Sequence, residues 1–206
     1  MIGIIATGLG NIASVFNAFT QLDHPVRLCH RPEEIENCDH LVLPGVGAFS
    51  AGMHALTVGG WVEPIHFHVQ KGRPMLGICL GMQLLFKQGH EHGLTDGLGL
   101  IDGEVHLLMP DASVKVPHVG WNSLTSMKSH SVLKGIKPNI DFYFVHSYHC
   151  IPRNDSDAIA YCDFGGKFVA SVARENILGM QFHPEKSQPA GMRILDNFAQ
   201  WDGIQC

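Results

Sequence analysis

The sequence predicts an α/β protein with a central, mostly parallel, twisted sheet and an antiparallel extension in its C-terminal half. Short apolar runs alternate with amphipathic segments as far as residue 88, the pattern of βαβ units. Glycine-bearing loops at 7–13, 44–49 and 79–83 follow those runs, at the carboxyl ends of strands where a doubly wound sheet opens its ligand crevice. Beyond residue 97, strand-length runs punctuated by Gly and Pro take over, with a single helical segment at the end. With 206 residues, 45% of them hydrophobic, residues 1–206 are expected to form one domain around one sheet.

Ile2 to Ala6 reads as a buried first strand. Asn11 to Leu22 reads as a helix that places Ile12, Val15, Phe16 and Phe19 on one face. The connection Thr7-Gly8-Leu9-Gly10-Asn11-Ile12-Ala13 fits the pattern of a dinucleotide-binding turn, so a nucleotide-binding module is a rival reading; a regulatory homologue without catalysis is another. The second strand, Val26 to Cys29, is followed by His30, Arg31 and Pro32 rather than by an acidic residue for a ribose hydroxyl. Asp39 to Leu43 is a third strand, and it discharges into Pro44-Gly45-Val46-Gly47-Ala48-Phe49. Gly52 to Val58 and Trp61 to Lys71 supply helices, and Pro74 to Ile78 the next strand.

In the second half, Gly97 to Ile101 and Glu104 to Met109 read as short strands, and Val116 to Asn122 as a stiff loop. Phe142 to Tyr148, Ile159 to Cys162, Phe168 to Ala173 and Ile177 to Gln181 read as strands. Residues 188–201 read as a closing helix with Met192, Leu195, Phe198 and Ala199 on its apolar side.

Composition excludes several functions. A net charge of −5 with no basic run gives no footprint for nucleic acid or an anionic membrane. No segment offers about 18 uninterrupted apolar residues, and the apolar start lacks a basic leader, so a cytoplasmic location is expected. Cys29, Cys38, Cys79, Cys150, Cys162 and Cys206 are irregularly spaced and are expected to be free thiols. Among 14 histidines the close pairs are His66 with His68 and His90 with His92. No Cys pair or Glu-x-x-His completes a ligand set beside either, so neither a metal nor a cofactor is expected.

The chemistry concentrates at Gly77-Ile78-Cys79-Leu80-Gly81. An apolar run enters and an apolar helix-former leaves, so Cys79 sits at the apex of a strand–turn–helix elbow, flanked by glycines that let strand and helix pack closely. Amides at a helix start favour the anionic form of a thiol. A buried structural cysteine is the competing reading. It loses ground to Phe182-His183-Pro184-Glu185, where a base follows a buried strand with a carboxylate two residues on to orient it.

With those two motifs the chain resembles the class I glutamine amidotransferases. Leu43 to Phe49, Gly77 to Phe86, Pro117 to Asn122, Tyr143 to Tyr148 and Phe182 to Gln188 narrow the likeness to the glutaminase subunits of histidine biosynthesis. The resemblance covers essentially the whole chain. It implies a three-layer, flavodoxin-like fold and a triad of Cys79 as nucleophile, His183 as base and Glu185 as orienter. It implies an oxyanion hole from the amides of Leu80 and the Val46-Gly47 peptide, productive only when a partner subunit holds its own substrate. Gln83, Ser147 and Tyr148 are implied to bind L-glutamine. Asn11, Trp121, Asn122, Tyr143 and Lys186 are implied to meet a separate cyclase or synthase subunit, in a heterodimer that passes ammonia across the interface. One departure stands out: family members carry Asp-Tyr before the first glycine, where this chain has Ala6-Thr7. That leaves a related sugar amidotransferase as an alternative acceptor of the ammonia.

Overall fold

The computed structural model describes residues 1–204 apart from Leu9 and Ser113. Leu9 of the first turn and Cys206 therefore lie outside the described residues. In chain order the elements are β1 (Ile2–Ile5), α1 (Ile12–Gln21), β2 (Val26–Cys29), β3 (His40–Gly45), α2 (Phe49–Val58), α3 (Val62–Gln70), β4 (Met75–Cys79) and α4 (Leu80–Leu84). Then follow β5 (Phe86–Gly89), β6 (Thr95–Asp96), β7 (Ile101–Leu107), β8 (His118–Met127), β9 (Asp141–His146), β10 (Tyr148–Pro152), β11 (Ala158–Asp163), β12 (Lys167–Arg174), β13 (Ile177–Met180) and α5 (Gln188–Gln200).

The large sheet has the order β2-β1-β3-β4-β13-β12-β11-β8-β9. Pairing is parallel from β2 through β13 and antiparallel from β13 to β9, which is the expected sheet with its extension. Alternation within the central strands fills a core on each face, because successive side chains point to opposite sides. Ile4, Val42, Leu76 and Leu178 pack with Val15 and Phe19 of α1 and Leu195 and Phe198 of α5. Leu41, Leu43 and Met75 pack with Phe49, Met53 and Leu56 of α2 and Ile65 of α3. Helices thus cover both faces, and no described helix is long and apolar enough to cross a membrane. The described cysteines are all free thiols.

Four expectations fail, each through a long-range pairing. Gly97 to Leu100 is not strand, because its amides donate back to the carbonyls of Lys87, Leu84, Phe86 and Leu85, and β7 begins only at Ile101. The helix after Cys79 ends at Leu84, because the Leu84 carbonyl accepts from the Leu98 amide at 2.9 Å and the Leu85 carbonyl from Leu100 at 2.9 Å and Ile101 at 3.0 Å. The chain turns there into β5, and β10, β7, β5 and β6 form a separate four-stranded sheet that the sequence did not foretell. The segment read as a stiff loop at 116–122 is mostly strand, since residues 118–123 pair with β9 and β8 runs on to pair with β11 from Leu124, which overrides Gly120. The strand read over Phe142 to Tyr148 breaks at Ser147, where the chain leaves β9 in the large sheet for β10 in the small one.

Candidate active site

Cys79 closes β4 with φ +55 and ψ −111, a conformation that a side-chain-bearing residue adopts only when its surroundings impose it. Two glycines impose it. A Cβ on Gly77 would lie 2.6 Å from the Gly81 carbonyl oxygen, and one on Gly81 would collide with the Leu43 carbonyl of β3. Strand and helix therefore meet at backbone distance, and the thiol is lifted to the carboxyl edge of the sheet. β13 pairs with β4 so that Met180 lies beside Ile78. The residues that follow β13, Gln181 to His183, consequently run out alongside the nucleophile.

His183 is held at both ends of its backbone. Its amide donates to the Tyr143 carbonyl at 2.9 Å, and its carbonyl accepts from Ser187 Oγ at 2.6 Å. A 3₁₀ turn over Pro184–Lys186 then folds Glu185 back, and His183 Nδ1 lies 2.8 Å from Glu185 Oε1. Both side chains are almost fully buried, at 2% and 1% exposure. With Nδ1 occupied, Nε2 is the nitrogen left to work. Among the described residues neither Nε2 nor Glu185 Oε2 has a hydrogen-bond partner.

Burial acts to lower the His183 pKa, but the neighbouring Cys79 sulfur and the Glu185 carboxylate outweigh it and raise it to about 9. The sulfur thus acts on the ring although Nε2 makes no well-formed hydrogen bond, and such contacts tighten when substrate arrives. At neutral pH the imidazole holds a proton beside the Cys79 sulfur.

A cavity of about 270 Å³ opens over the sulfur, lined by Val46, Gly47, Cys79, Leu80, Gln83, Glu91, Pro117, Val145, His146, Ser147 and Tyr148. That list includes the expected oxyanion loop and every expected glutamine-binding residue. Gly45 pairs with Cys79 across β3 and β4, so the Val46-Gly47 peptide leaves the sheet level with the nucleophile. Gly47 has φ +107 and open space where a side chain would be, which leaves the peptide sterically free to turn. Gly10 has a different reason: a Cβ there would stand 3.2 Å from Gly45 Cα. The first-turn glycine therefore lets α1 approach this loop, which accounts for the pattern that resembled a dinucleotide turn.

Gln83, expected at the glutamine site, is buried; its Nε2 donates to the Tyr148 carbonyl at 3.1 Å and to Gln181 Oε1 at 3.1 Å. Several other site residues escaped the sequence reading. Gln181, fully buried, points its own Nε2 at Cys79 Sγ at 3.8 Å. The Tyr148 carbonyl also receives His146 Nδ1 at 2.9 Å, and His146 Nε2 meets His118 Nδ1 at 3.0 Å. A polar chain thus runs from His118 on β8 through His146, Tyr148, Gln83 and Gln181 to the sulfur. Burial lowers the His118 pKa to about 4 and that of His146 to about 3, so both rings are neutral at physiological pH. Glu91 lines the cavity and accepts the Phe49 amide at 2.7 Å, capping α2 from a distant loop. The one signal available was a glutamine ending an otherwise apolar run, at Gln181. His118, His146 and Glu91 had none.

The residues expected at a partner surface divide. Trp121 is 48% exposed and is not a core aromatic. It crosses Tyr143 edge-on at 5.9 Å, and Lys186 Nζ lies 5.6 Å from the Tyr143 ring. Val119, also exposed, lies opposite Val145 on the same face of the β8–β9 pair, giving an apolar stripe beside the triad. Asn122 faces the other way, donating to the Asp163 carbonyl at 2.8 Å. Asn11 stands just before α1, its Oδ1 accepting from Ser14 Oγ at 2.8 Å, and the body of α1 contacts the Glu185 turn. A larger groove of about 610 Å³ between Pro32–Asn37 and α3 opens at the amino edge of the sheet, away from this chemistry.

The glutamine amidotransferase class-I family model matches residues 4–201. The chain is 45% identical, over 98% of its length and 94% of the relative's, to a Desulfitobacterium hafniense protein named imidazole glycerol phosphate synthase subunit HisH. It is 44% identical, over the full length of both chains, to the protein of the same name from Caldanaerobacter subterraneus subsp. tengcongensis. Among solved structures, a glutamine amidotransferase superposes with a TM-score of 0.76 at 18% identity, covering 98% of this chain and 99% of that one. PurLQS from Thermotoga maritima gives a TM-score of 0.74 at 15% identity, covering 97% of each chain. At those identities the structures speak for the fold, and the family model together with the full-length relatives speaks for kinship. The chain belongs to the class-I glutamine amidotransferase family.

Proposed function

We infer that this chain is a glutaminase subunit that hydrolyses L-glutamine to glutamate and ammonia. The ammonia is delivered to a separate synthase subunit that makes imidazole glycerol phosphate in histidine biosynthesis. The observation that carries the reading is the alignment of Cys79, His183 and Glu185 at the ends of two adjacent strands, over a cavity of about 270 Å³. The full-length kinship with subunits so named supports the pathway.

The chemistry is acyl transfer. Cys79 Sγ attacks the side-chain carboxamide carbon, with the oxyanion held by the amides of Leu80 and the Val46-Gly47 peptide. The proton that His183 holds on Nε2 passes to the departing nitrogen, releasing ammonia and leaving a γ-glutamyl thioester. The neutral imidazole then takes a proton from water, the hydroxide attacks the thioester, and the carbon–sulfur bond breaks to release glutamate and the Cys79 thiolate beside the reprotonated ring. Glu185 keeps Nδ1 protonated throughout, so that Nε2 alone exchanges protons. Gln83, Ser147 and Tyr148 seat the substrate. Ammonia must leave uncharged and shielded from water, and the Val119–Trp121 stripe with Tyr143 and Lys186 beside the triad is the surface on which a synthase would dock.

The test is glutamate release by the purified chain, alone and with a candidate synthase, with and without the synthase's acceptor. Slow turnover alone and strong acceleration by the loaded synthase are expected. Vigorous turnover by the isolated chain, indifferent to the synthase, overturns the conditional oxyanion hole. Ala6-Thr7 in the first loop favours a second acceptor, a sugar amidotransferase; acceleration by that enzyme but not by the histidine-pathway synthase decides for it.

A further inference from the structure

We propose that His90, Glu104 and His106 form a binding site for one divalent transition-metal ion of the zinc, nickel and copper class, on the outer face of the small sheet. The site is independent of the glutamine chemistry. The parallel register of β5 and β7 sets Gln88 beside Glu104 and Gly89 beside Val105, so His90, the next residue, falls beside His106. Val105 points into the core, which turns Glu104 and His106 outward on either side of it. Nε2 of His90 lies 2.9 Å, and Nε2 of His106 2.8 Å, from one and the same oxygen, Glu104 Oε2. The two rings stack at 4.1 Å with an interplanar angle of 19°. The three donor atoms all lie within 4.8 Å of one another, and the side chains are 38%, 47% and 39% exposed.

Two imidazole nitrogens and a carboxylate oxygen are the donor set that suits zinc and its neighbours, with the fourth position left to water. Bonds of about 2.0–2.1 Å place tetrahedral donors about 3.3 Å apart, so the oxygen–nitrogen spacings need only a small opening. Without an ion, a carboxylate oxygen can accept from both rings only if both carry a proton on Nε2, and a bound ion takes the place of those protons. His149, the cross-strand neighbour of His106, has a buried Nδ1 with no partner among the described residues and stands next in the row. The spacing of these donors in the sequence matches no ligand motif, because β5 and β7 bring them together only in the folded sheet.

The experiment titrates the chelator-treated, otherwise intact chain with zinc chloride and with nickel chloride by calorimetry, in the Cys79→Ala background so that the catalytic thiol takes no part. One ion per chain is expected. His90→Ala and His106→Ala should each lower affinity roughly tenfold or more, and Glu104→Gln should weaken binding while keeping a hydrogen bond to the rings. His66→Ala, on a distant surface, should change nothing. With copper, electron paramagnetic resonance should show coupling to two nitrogens that falls to one in His106→Asn. Absence of saturable binding up to about millimolar zinc and nickel, or binding indifferent to all the His90, Glu104 and His106 variants, overturns the proposal and leaves a hydrogen-bonded cluster only.

Discussion

The parallel and antiparallel halves of this molecule end at the same cavity but contribute to it differently. From β3, β4 and β13, all in the parallel half, come the Val46-Gly47 loop, Cys79 and His183 with Glu185. Each lies at the end of a buried strand or within five residues after it, so its position is set by local chain and by the register of adjacent strands. From β8, β9 and β10 come His118, His146, Ser147 and Tyr148, which line or brace the cavity only because β9 hands over to β10 at Ser147. The lesson is one of division: the residues proposed to change bonds sit on strand ends that one sheet fixes, while Ser147 and Tyr148, proposed to hold substrate, sit where two sheets meet.

Substitutions can break that division or sharpen it. Cys79→Ala should have the largest effect, a loss of glutamine hydrolysis of at least about 10⁴-fold, with ammonia-dependent synthesis by the assembled complex preserved. Comparing glutamate release with product formation from ammonium salts checks it. Glu185→Gln should lower kcat by about 10²- to 10⁴-fold with KM little changed, since Nδ1 loses its acceptor and the imidazole its orientation; steady-state kinetics with glutamine read this. Gly47→Ala places a side chain at φ +107 and should cost about 10²- to 10³-fold in kcat through the oxyanion donor. An unchanged kcat would remove that loop from the mechanism. Gln181→Met keeps the volume but deletes the amide that reaches both Gln83 and the sulfur, and should cost about 10- to 100-fold, shared between kcat and KM. If the antiparallel half only holds substrate, His146→Gln should raise KM more than it lowers kcat.

Stability against pH separates the halves in another way. His118 and His146 have pKa values pushed by burial to about 4 and about 3, below the ordinary 6.5. Their contribution to stability is complete above pH 6.5 and is lost as pH falls through about 4. The His183 pKa, which burial lowers but the Cys79 sulfur and Glu185 raise to about 9, behaves oppositely. Its contribution is complete below pH 6.5 and is lost as pH rises through about 9. Urea midpoints across pH should therefore peak near neutrality. His118→Asn should flatten the acid limb, and His183→Asn the alkaline one.

By itself the sequence determined the alternation of strand and helix that makes the first half a parallel sheet, the elbow at Cys79 and the pairing of His183 with Glu185. Those features depend on hydrophobic period, glycine spacing and neighbours two residues apart, all of which are local. It also marked Val46, Gly47, Gln83, Ser147 and Tyr148 through a family likeness, and the structure places them all around one cavity. Only the tertiary structure decided that α4 stops at Leu84, that residues 118–127 are strand and that a second sheet exists. The same holds for the chain from His118 to Gln181 and for the His90–Glu104–His106 cluster. In each case the deciding hydrogen bonds join residues far apart in sequence, and local propensity carries no record of a partner that only folding brings within reach.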